Sequence, residues 1–481
     1  MNAGTKRGAP LAVALGLLVV ATAGLTAVTA PAAHAVPVDT SQTGTINIYK
    51  YQTPATNTSG DGTQQTPTTV PIPGVTYRIT PVTVAGGLTV ADNAWWTTAE
   101  GIADSTDTTS GTKGISLAPV VTDSAGLAAF TNLPLGLYYV EETAVPTGVG
   151  LSEPFYVTVP LTDPTNLDAW LYTVYAYPKD SVTTVAKTVT DATATKAGDV
   201  VTFTVTASVP KEAALTKYAL TDTLDPRLSL VDAAVSLDGT ALTASVDYAL
   251  SGTSTITADF TKVGMAKLTA LSSGIADDTV TLTVHAKVLA AGPFGAIPNA
   301  AVLDWDNGSG AVSVPSNTVT TDWGTVVLTK TSSTTGDPLP GAVFVLYATQ
   351  ADASANANPI MTAVDGGDGT YTFAGVRAND WQDGATLAPP SSYWVAETKS
   401  PAGYQLIPQP FPVQLLGVTD AAYTATAAIS EPPSDPFRLA ATGGYGRTAT
   451  YAMYGGAAVL LLGVAGAVFF RRRVEAREAV V

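Results

Sequence analysis

Apolar and polar residues alternate with period two over most of this chain, the pattern of strands with one face buried. In the first third it predicts strands over 45–51, 75–80, 128–130, 137–142, 155–159 and 171–177, separated by turns rich in Gly, Pro, Thr and Asn. Further on, Asp-Val-Val-Thr-Phe-Thr-Val-Thr-Ala-Ser-Val at 199–209 and Thr-Val-Thr-Leu-Thr-Val-His-Ala-Lys-Val at 279–288 alternate in the same way. The stretches 325–330 and 340–347 read as the first two strands of a last segment. The insert 86–114 lacks a regular pattern and is expected to be a surface excursion.

Two stretches break the period. Residues 11–28 are apolar, follow Lys6 and Arg7, and precede Ala33-His34-Ala35. That is the layout of a secretory signal over 1–35, with the mature chain starting near Val36. Residues 451–470 carry no charge and are followed by Arg471, Arg472 and Arg473. At about 1.5 Å per residue such a helix is long enough for a hydrocarbon core of roughly 30 Å, with the arginines on the cytoplasmic side.

Composition narrows the function. The chain has 481 residues, a formal net charge of -16 and 13% charged residues, which argues against nucleic acid as a partner. It has no cysteine, so exported domains must be stabilised without disulfides. Of two histidines only His285 lies beyond the leader, which leaves little material for Ser/His chemistry, and no HExxH or phosphate-loop motif occurs. No enzyme activity is expected. No cofactor is expected either: Asp304-Trp-Asp306-Asn307-Gly-Ser reads first as a hairpin turn, with a calcium-binding turn as the alternative.

Leu439-Ala440-Ala441-Thr442-Gly443, the apolar span and the arginines together resemble the cell-wall sorting signal of Gram-positive surface proteins, with Ala440 where that family usually has proline. Trp170, Val174, Tyr177, Pro178 and Lys179 are spaced as in the pilin motif of sortase-assembled major pilins, with Ala176 in place of a valine. With both motifs, the chain resembles a major (shaft) pilin of the isopeptide-forming fimbrial subunits along its whole length. The fold so implied is all-β: three tandem immunoglobulin-like β-sandwich domains of collagen-adhesin B, A and B type. They would span 36–180, 181–323 and 324–437, between the signal and a sorting region at 438–481.

In that family a lysine on a domain's first strand bonds to an asparagine on its last, helped by an acid. The resemblance places Lys187, Asn317 and the assisting Asp222 in those roles in the middle domain, with Asn299 as the second choice of acceptor. Glu142, in Glu-Thr-Ala-Val-Pro, and Glu397, in Glu-Thr-Lys-Ser-Pro, resemble the acid of the family's "E-box", and Lys50 and Lys330 would be their lysines. Neither outer domain shows a matching asparagine on its last strand. In the first an internal crosslink is not expected. In the third either Asp435 serves as acceptor or no bond forms.

The resemblance implies a structural subunit of a covalent surface fimbria that supports adhesion. A class C-type pilin sortase would join Thr442 of one copy to Lys179 of another, and a housekeeping sortase would attach the fibre to peptidoglycan. Partners would be copies of the chain, minor pilins and a host-surface ligand. The precursor would be held in the membrane by 451–470. The alternative is a wall-anchored adhesin or minor pilin that does not polymerise through Lys179.

Overall fold

The computed structural model describes residues 36–53, 60–105, 109–271, 278–417 and 423–434. The sorting motif at 439–443, the apolar span 451–470 and Asp435 lie outside these. Among the described residues no helix is long and apolar enough to cross a membrane. The structure is built mostly of strands. Its buried apolar residues fall into three large clusters and two small ones.

In the N-terminal region two sheets enclose a core containing Ile46, Ile48, Tyr77, Phe130, Val140 and Val174. One sheet has the order Thr173–Ala176, Gly44–Tyr49, Leu127–Leu133, and its first pair is parallel. The other runs Gly111–Lys113, Thr76–Val84, Gly136–Ala144, Phe155–Val159. The insert after residue 86 is not a bare excursion. It holds the helix Asn93–Ala103, whose Trp95, Ala99 and Ile102 are buried with Val82, Val84 and Leu137. Spacings of four and three residues put these three on one helical face, and packing on that part of the sheet is what fixes the helix.

The middle region packs the sheet Val185–Thr190, Val200–Ser208, Thr279–Val288, Leu228–Leu237 against strands Thr255–Phe260, Lys217–Thr223 and Ala296–Asp306. Clean alternation in Val200–Ser208 and Thr279–Val288 sends Val201, Phe203, Val205, Val280, Leu282 and Val284 into the core. The joint with the N-terminal region is hydrogen-bonded through main chain. Thr183 N–H donates to the Gly148 carbonyl at 2.7 Å and Gly150 N–H to the Ser181 carbonyl at 3.0 Å. Gly148 has φ +85°, and a Cβ there would meet the Thr183 carbonyl at 2.5 Å, so this turn requires glycine. Trp305 closes the joint from the middle region, its indole N–H donating to Thr183 Oγ1 at 2.9 Å.

One 14-residue strand, Val319–Ser332, serves two regions. Its first residues pair with Ala296–Asp306, and from Trp323 onward it pairs with Thr370–Arg377. Thr424–Glu431 lies parallel to it from Thr325 to Ser332. Val343–Tyr347, Tyr393–Lys399 and Phe411–Val413 form the facing sheet of the C-terminal region. Cross-links of hydrogen bonds brace this joint. Asp191 and Asp383 each accept from the other's main-chain N–H, and Arg377 Nε donates to the Ala194 carbonyl at 2.8 Å.

Asp322 sits in the middle of that joint, 4% exposed, with Oδ1 unpartnered and Oδ2 accepting from the Tyr423 hydroxyl at 3.3 Å. Burial first, then Asp380 and Asp191, pushes its carboxyl up to about 6, against the hydrogen bond from Tyr423. The folded chain therefore binds this proton more tightly than the unfolded chain, whose aspartates titrate near 4. Stability from this site is fullest below pH ~4 and falls as pH rises to ~6. Asp322→Asn is expected to flatten that slope and raise the unfolding temperature at neutral pH. Thermal melts of both proteins across the window would measure it, and identical slopes would refute it.

Candidate functional site

Lys179 is positioned by the residues that precede it. Val174 is 2% exposed and anchors its strand in the N-terminal core. Trp170 stacks on Trp96 of the helix at 5.1 Å between ring centroids and donates its indole N–H to the Val36 carbonyl. Tyr177 stacks on Tyr49 at 5.6 Å, and its hydroxyl accepts from Gln65 N–H at 2.7 Å. Pro178 has no N–H to give. The two-residue strand Lys179–Asp180 then pairs in parallel with Tyr51–Gln52. Lys179 is half-buried, and Asp180 is turned inward and buried. A groove of about 520 Å³ runs between the helix and the strands Phe155–Val159 and Thr173–Ala176. Trp96, Tyr156, Leu161 and Tyr175 line it, and so does Pro178, one residue before Lys179.

Each region also buries one lysine, at an inward position in an early strand or directly after it. Lys50 continues the alternation of Ile46 and Ile48, Lys187 precedes Val189, and Lys330 follows Val326 and Leu328. A buried ammonium requires acids, and each lysine has them.

Lys50 Nζ lies 2.5 Å from Glu142 Oε1 and 2.6 Å from Asp180 Oδ1. It also donates to Ser152 Oγ at 2.5 Å, while Ser152 Oγ donates to Asp180 Oδ1. Glu142 is fixed by the Tyr77 hydroxyl and by Ser152 N–H, the latter at 2.9 Å to Oε2. Burial pushes the Asp180 carboxyl up to about 7, Lys50 opposes this and Glu142 adds to it. A partly protonated acid therefore touches a lysine amine. Sequence reasoning missed Asp180 because the family pattern points to an asparagine.

Lys187 Nζ lies 2.5 Å from Asp222 Oδ2, both side chains fully buried. Burial pushes the ammonium down and the carboxyl up, each opposed by the other's charge. Asn299 is 2% exposed, and neither atom of its amide has a hydrogen-bond partner, although the amide is near enough to Asp222 to lower its carboxyl. Asp222 pairs with Ala301, so Asn299 is its diagonal neighbour on the same inward face. Asn317 is placed elsewhere. It is exposed, its Oδ1 accepts from Lys187 N–H at 2.8 Å, and its Nδ2 donates to the Lys187 carbonyl at 2.9 Å. It acts as a strand partner for the lysine's main chain, so the amide brought to the buried cluster is that of Asn299.

Lys330 Nζ lies 2.9 Å from Glu397 Oε1 and touches Glu431 Oε2, with all three side chains at most 3% exposed. Burial first pushes the Glu431 carboxyl up; Glu397 adds to this and Lys330 opposes it. Glu397 Oε2 accepts from Ile407 N–H at 2.9 Å.

The segment 304–309 leads from a strand into a turn held by the side chains of Asp306 and Asn307. Asp306 accepts from Gly308 N–H and Asn307 from Ser309 N–H, while Asp304 faces Lys217 at 3.6 Å. Among the described residues no group of three or more His, Cys, Asp or Glu is placed to hold a metal ion.

Comparison with known proteins finds three family models along the chain. Residues 41–181 match the Gram-positive pilin subunit D1, N-terminal domain; 181–322 match the Sgo0707 N2 domain; 324–428 match a prealbumin-like fold domain. Fimbrial subunit type 1 of Actinomyces viscosus is 31% identical, over 92% of this chain and 93% of that protein. The full-length major pilin SpaD of Corynebacterium diphtheriae superposes with a TM-score of 0.68 at 27% identity, covering 82% of this chain and 98% of that one. The fimbrial protein FimP of Actinomyces oris gives 0.55 at 27% identity, covering 83% and 100%.

Proposed function

Because the chain belongs to the fimbrial subunit family of Gram-positive bacteria and is a structural subunit of surface pili, we propose that Lys179 is the residue through which its copies are joined. The observation that supports this reading is that Lys179 directly follows Tyr177 and Pro178, which line the groove, on a segment fixed by Trp170, Val174 and Tyr177. A pilin sortase would form a thioester with Thr442, releasing the C-terminal segment that begins at Gly443. The Lys179 amine would then attack that carbonyl. A lysine suits the task because its long stem reaches into another protein's cleft and its neutral amine is a strong nucleophile. Each subunit would offer Lys179 as nucleophile and Thr442 as acyl group, two different sites, so the contact is heterologous and can repeat without closing. A housekeeping sortase would attach the last copy to peptidoglycan. On this reading the chain is a substrate of enzymes and has no catalytic role of its own toward outside molecules.

The regions 36–180, 181–323 and 324–437 are read as three domains stiffened by internal amides. In the middle one a neutral Lys187 attacks the Asn299 carboxamide while protonated Asp222 donates to its oxygen, and ammonia leaves. Burial favours the neutral forms of both groups, and fixed geometry lowers the barrier. In the first domain, where the sequence leads us to expect no crosslink, the 2.6 Å contact of Lys50 with Asp180 supports the same bond with loss of water, and Glu142 is read as the assisting acid.

Intact mass of the purified mature chain tests this. The middle bond makes the protein lighter by one ammonia, and Asn299→Ala is expected to abolish that deficit while Asn317→Ala keeps it. A deficit that survives Asn299→Ala and disappears in Asn317→Ala would overturn the assignment.

A further inference from the structure

We propose that Lys330 and Glu431 condense into a side-chain amide, so that the C-terminal region is closed by a lysine–glutamate bond rather than by an ion pair. The inference rests on the internal-amide reading of the other two regions and extends it to an acceptor of a different chemical class.

Register carries the argument. In the N-terminal region Asp180 lies opposite Gln52, two residues beyond Lys50, on a parallel strand pair. In the C-terminal region Glu431 lies opposite Ser332, two residues beyond Lys330, again on a parallel pair. The assisting acids correspond as well. Glu142 Oε2 accepts the main-chain N–H of Ser152, and Glu397 Oε2 accepts that of Ile407, ten residues further along in both cases. Glu431 therefore occupies the acceptor's place and Glu397 the assistant's. Their contacts agree with this division. Glu397 Oε2 is held by Ile407 N–H, whereas Glu431 Oε1 has no hydrogen-bond partner and its Oε2 touches Lys330 Nζ.

Charge gives the driving force. One ammonium and two carboxylates, all fully buried, leave a negative charge without compensation, which a desolvated site does not hold. Taking up a proton makes the cluster neutral, and this is the protonation state that condensation needs. The neutral Nζ attacks Cδ of Glu431, and Glu397 gives a proton to the carboxyl oxygen that leaves. A new N–C bond replaces a C–O bond. One amine proton and the carboxyl proton depart with that oxygen as water, and Glu397 recovers its own proton. No oxidant, metal or second reactant enters.

The test is peptide mapping of the mature chain by mass spectrometry. A branched peptide joining Lys330 to Glu431, lighter by one water than its two parts, is expected. Glu431→Gln should give a branched peptide of the same mass as the wild type, because glutamine loses ammonia where glutamate loses water. Glu397→Gln, which keeps the shape, should slow formation of the branch by roughly a hundredfold or more, the usual worth of a positioned acid. Linear Lys330 and Glu431 peptides together with a branched Lys187–Asn299 peptide would overturn this inference alone. A branch to Glu397 would overturn it too. Linear peptides at all three lysines would overturn the internal-amide reading as a whole.

Discussion

Lys179→Arg is expected to abolish the covalent ladder that wild-type protein forms when it is expressed with its pilin sortase, leaving only monomer on a denaturing gel. Arginine keeps the positive charge and a long stem, so the half-buried site and the strand pairing of Asp180 with Gln52 are preserved. It stays protonated at any working pH and offers no amine to a thioester. The loss should be complete, because in the proposed reaction no other group replaces the nucleophile. Lys113 provides the control. It lies exposed on the same region's surface, its Nζ 3.0 Å from the Tyr139 ring centroid and away from the Trp170–Pro178 segment in sequence. Lys113→Arg should leave the ladder intact. A ladder that persists in Lys179→Arg and disappears in Lys113→Arg would move the joining site. Equal unfolding temperatures of Lys179→Arg and wild-type monomers would show that folding is not the cause of the loss.

Lys187→Ala should have the largest effect on stability. It removes the proposed bond to Asn299 and leaves Asp222 buried with no cation. Breaking a buried pair by deleting one partner costs about 3–5 kcal/mol. A tie that closes a loop of about a hundred residues is worth on the order of 4–5 kcal/mol in the chain-entropy model. The two should appear separately. Asn299→Ala loses the tie but keeps Lys187 against Asp222, so its melting temperature should lie between those of Lys187→Ala and the wild type. Asn317→Ala removes only two hydrogen bonds to the Lys187 main chain, worth about 1 kcal/mol each. If Asn317→Ala lowered the melting temperature more than Asn299→Ala, the placement of the tie would be wrong.

Much of this is legible in the sequence because the strands alternate so regularly. Ile46, Ile48 and Lys50, or Val326, Leu328 and Lys330, mark a lysine at a position where the period demands an apolar residue. The same counting finds Asn299, since Ile297, Asn299, Ala301, Leu303 and Trp305 are all buried on one face. Asn317 competes with it in the sequence because it stands nearer the end of its segment, and nearness in sequence does not tell which face a residue takes. Ala427, Ile429 and Glu431 form another inward series, hidden from a search for amides because the chain has an acid there. The helix Asn93–Ala103 escapes the pattern for a different reason. Its apolar stripe consists of only Trp95, Ala99 and Ile102, in a stretch otherwise rich in Thr, Gly and Asp, so local pattern is weak and tertiary packing against Leu137 decides.

The strand Val319–Ser332 limits how such proteins can be taken apart. The two family matches meet between residues 322 and 324, inside that strand near its start. A boundary drawn there would leave residues 319–322 with their partners in Ala296–Asp306 and residues 324–329 with theirs in Thr370–Arg377, but it would part the Asp191–Asp383 and Arg377–Ala194 hydrogen bonds that brace the joint. Units that look interchangeable in sequence are thus not interchangeable cassettes. Recombination, natural or in the laboratory, has to carry the middle and C-terminal regions together, and chimaeras should be spliced elsewhere.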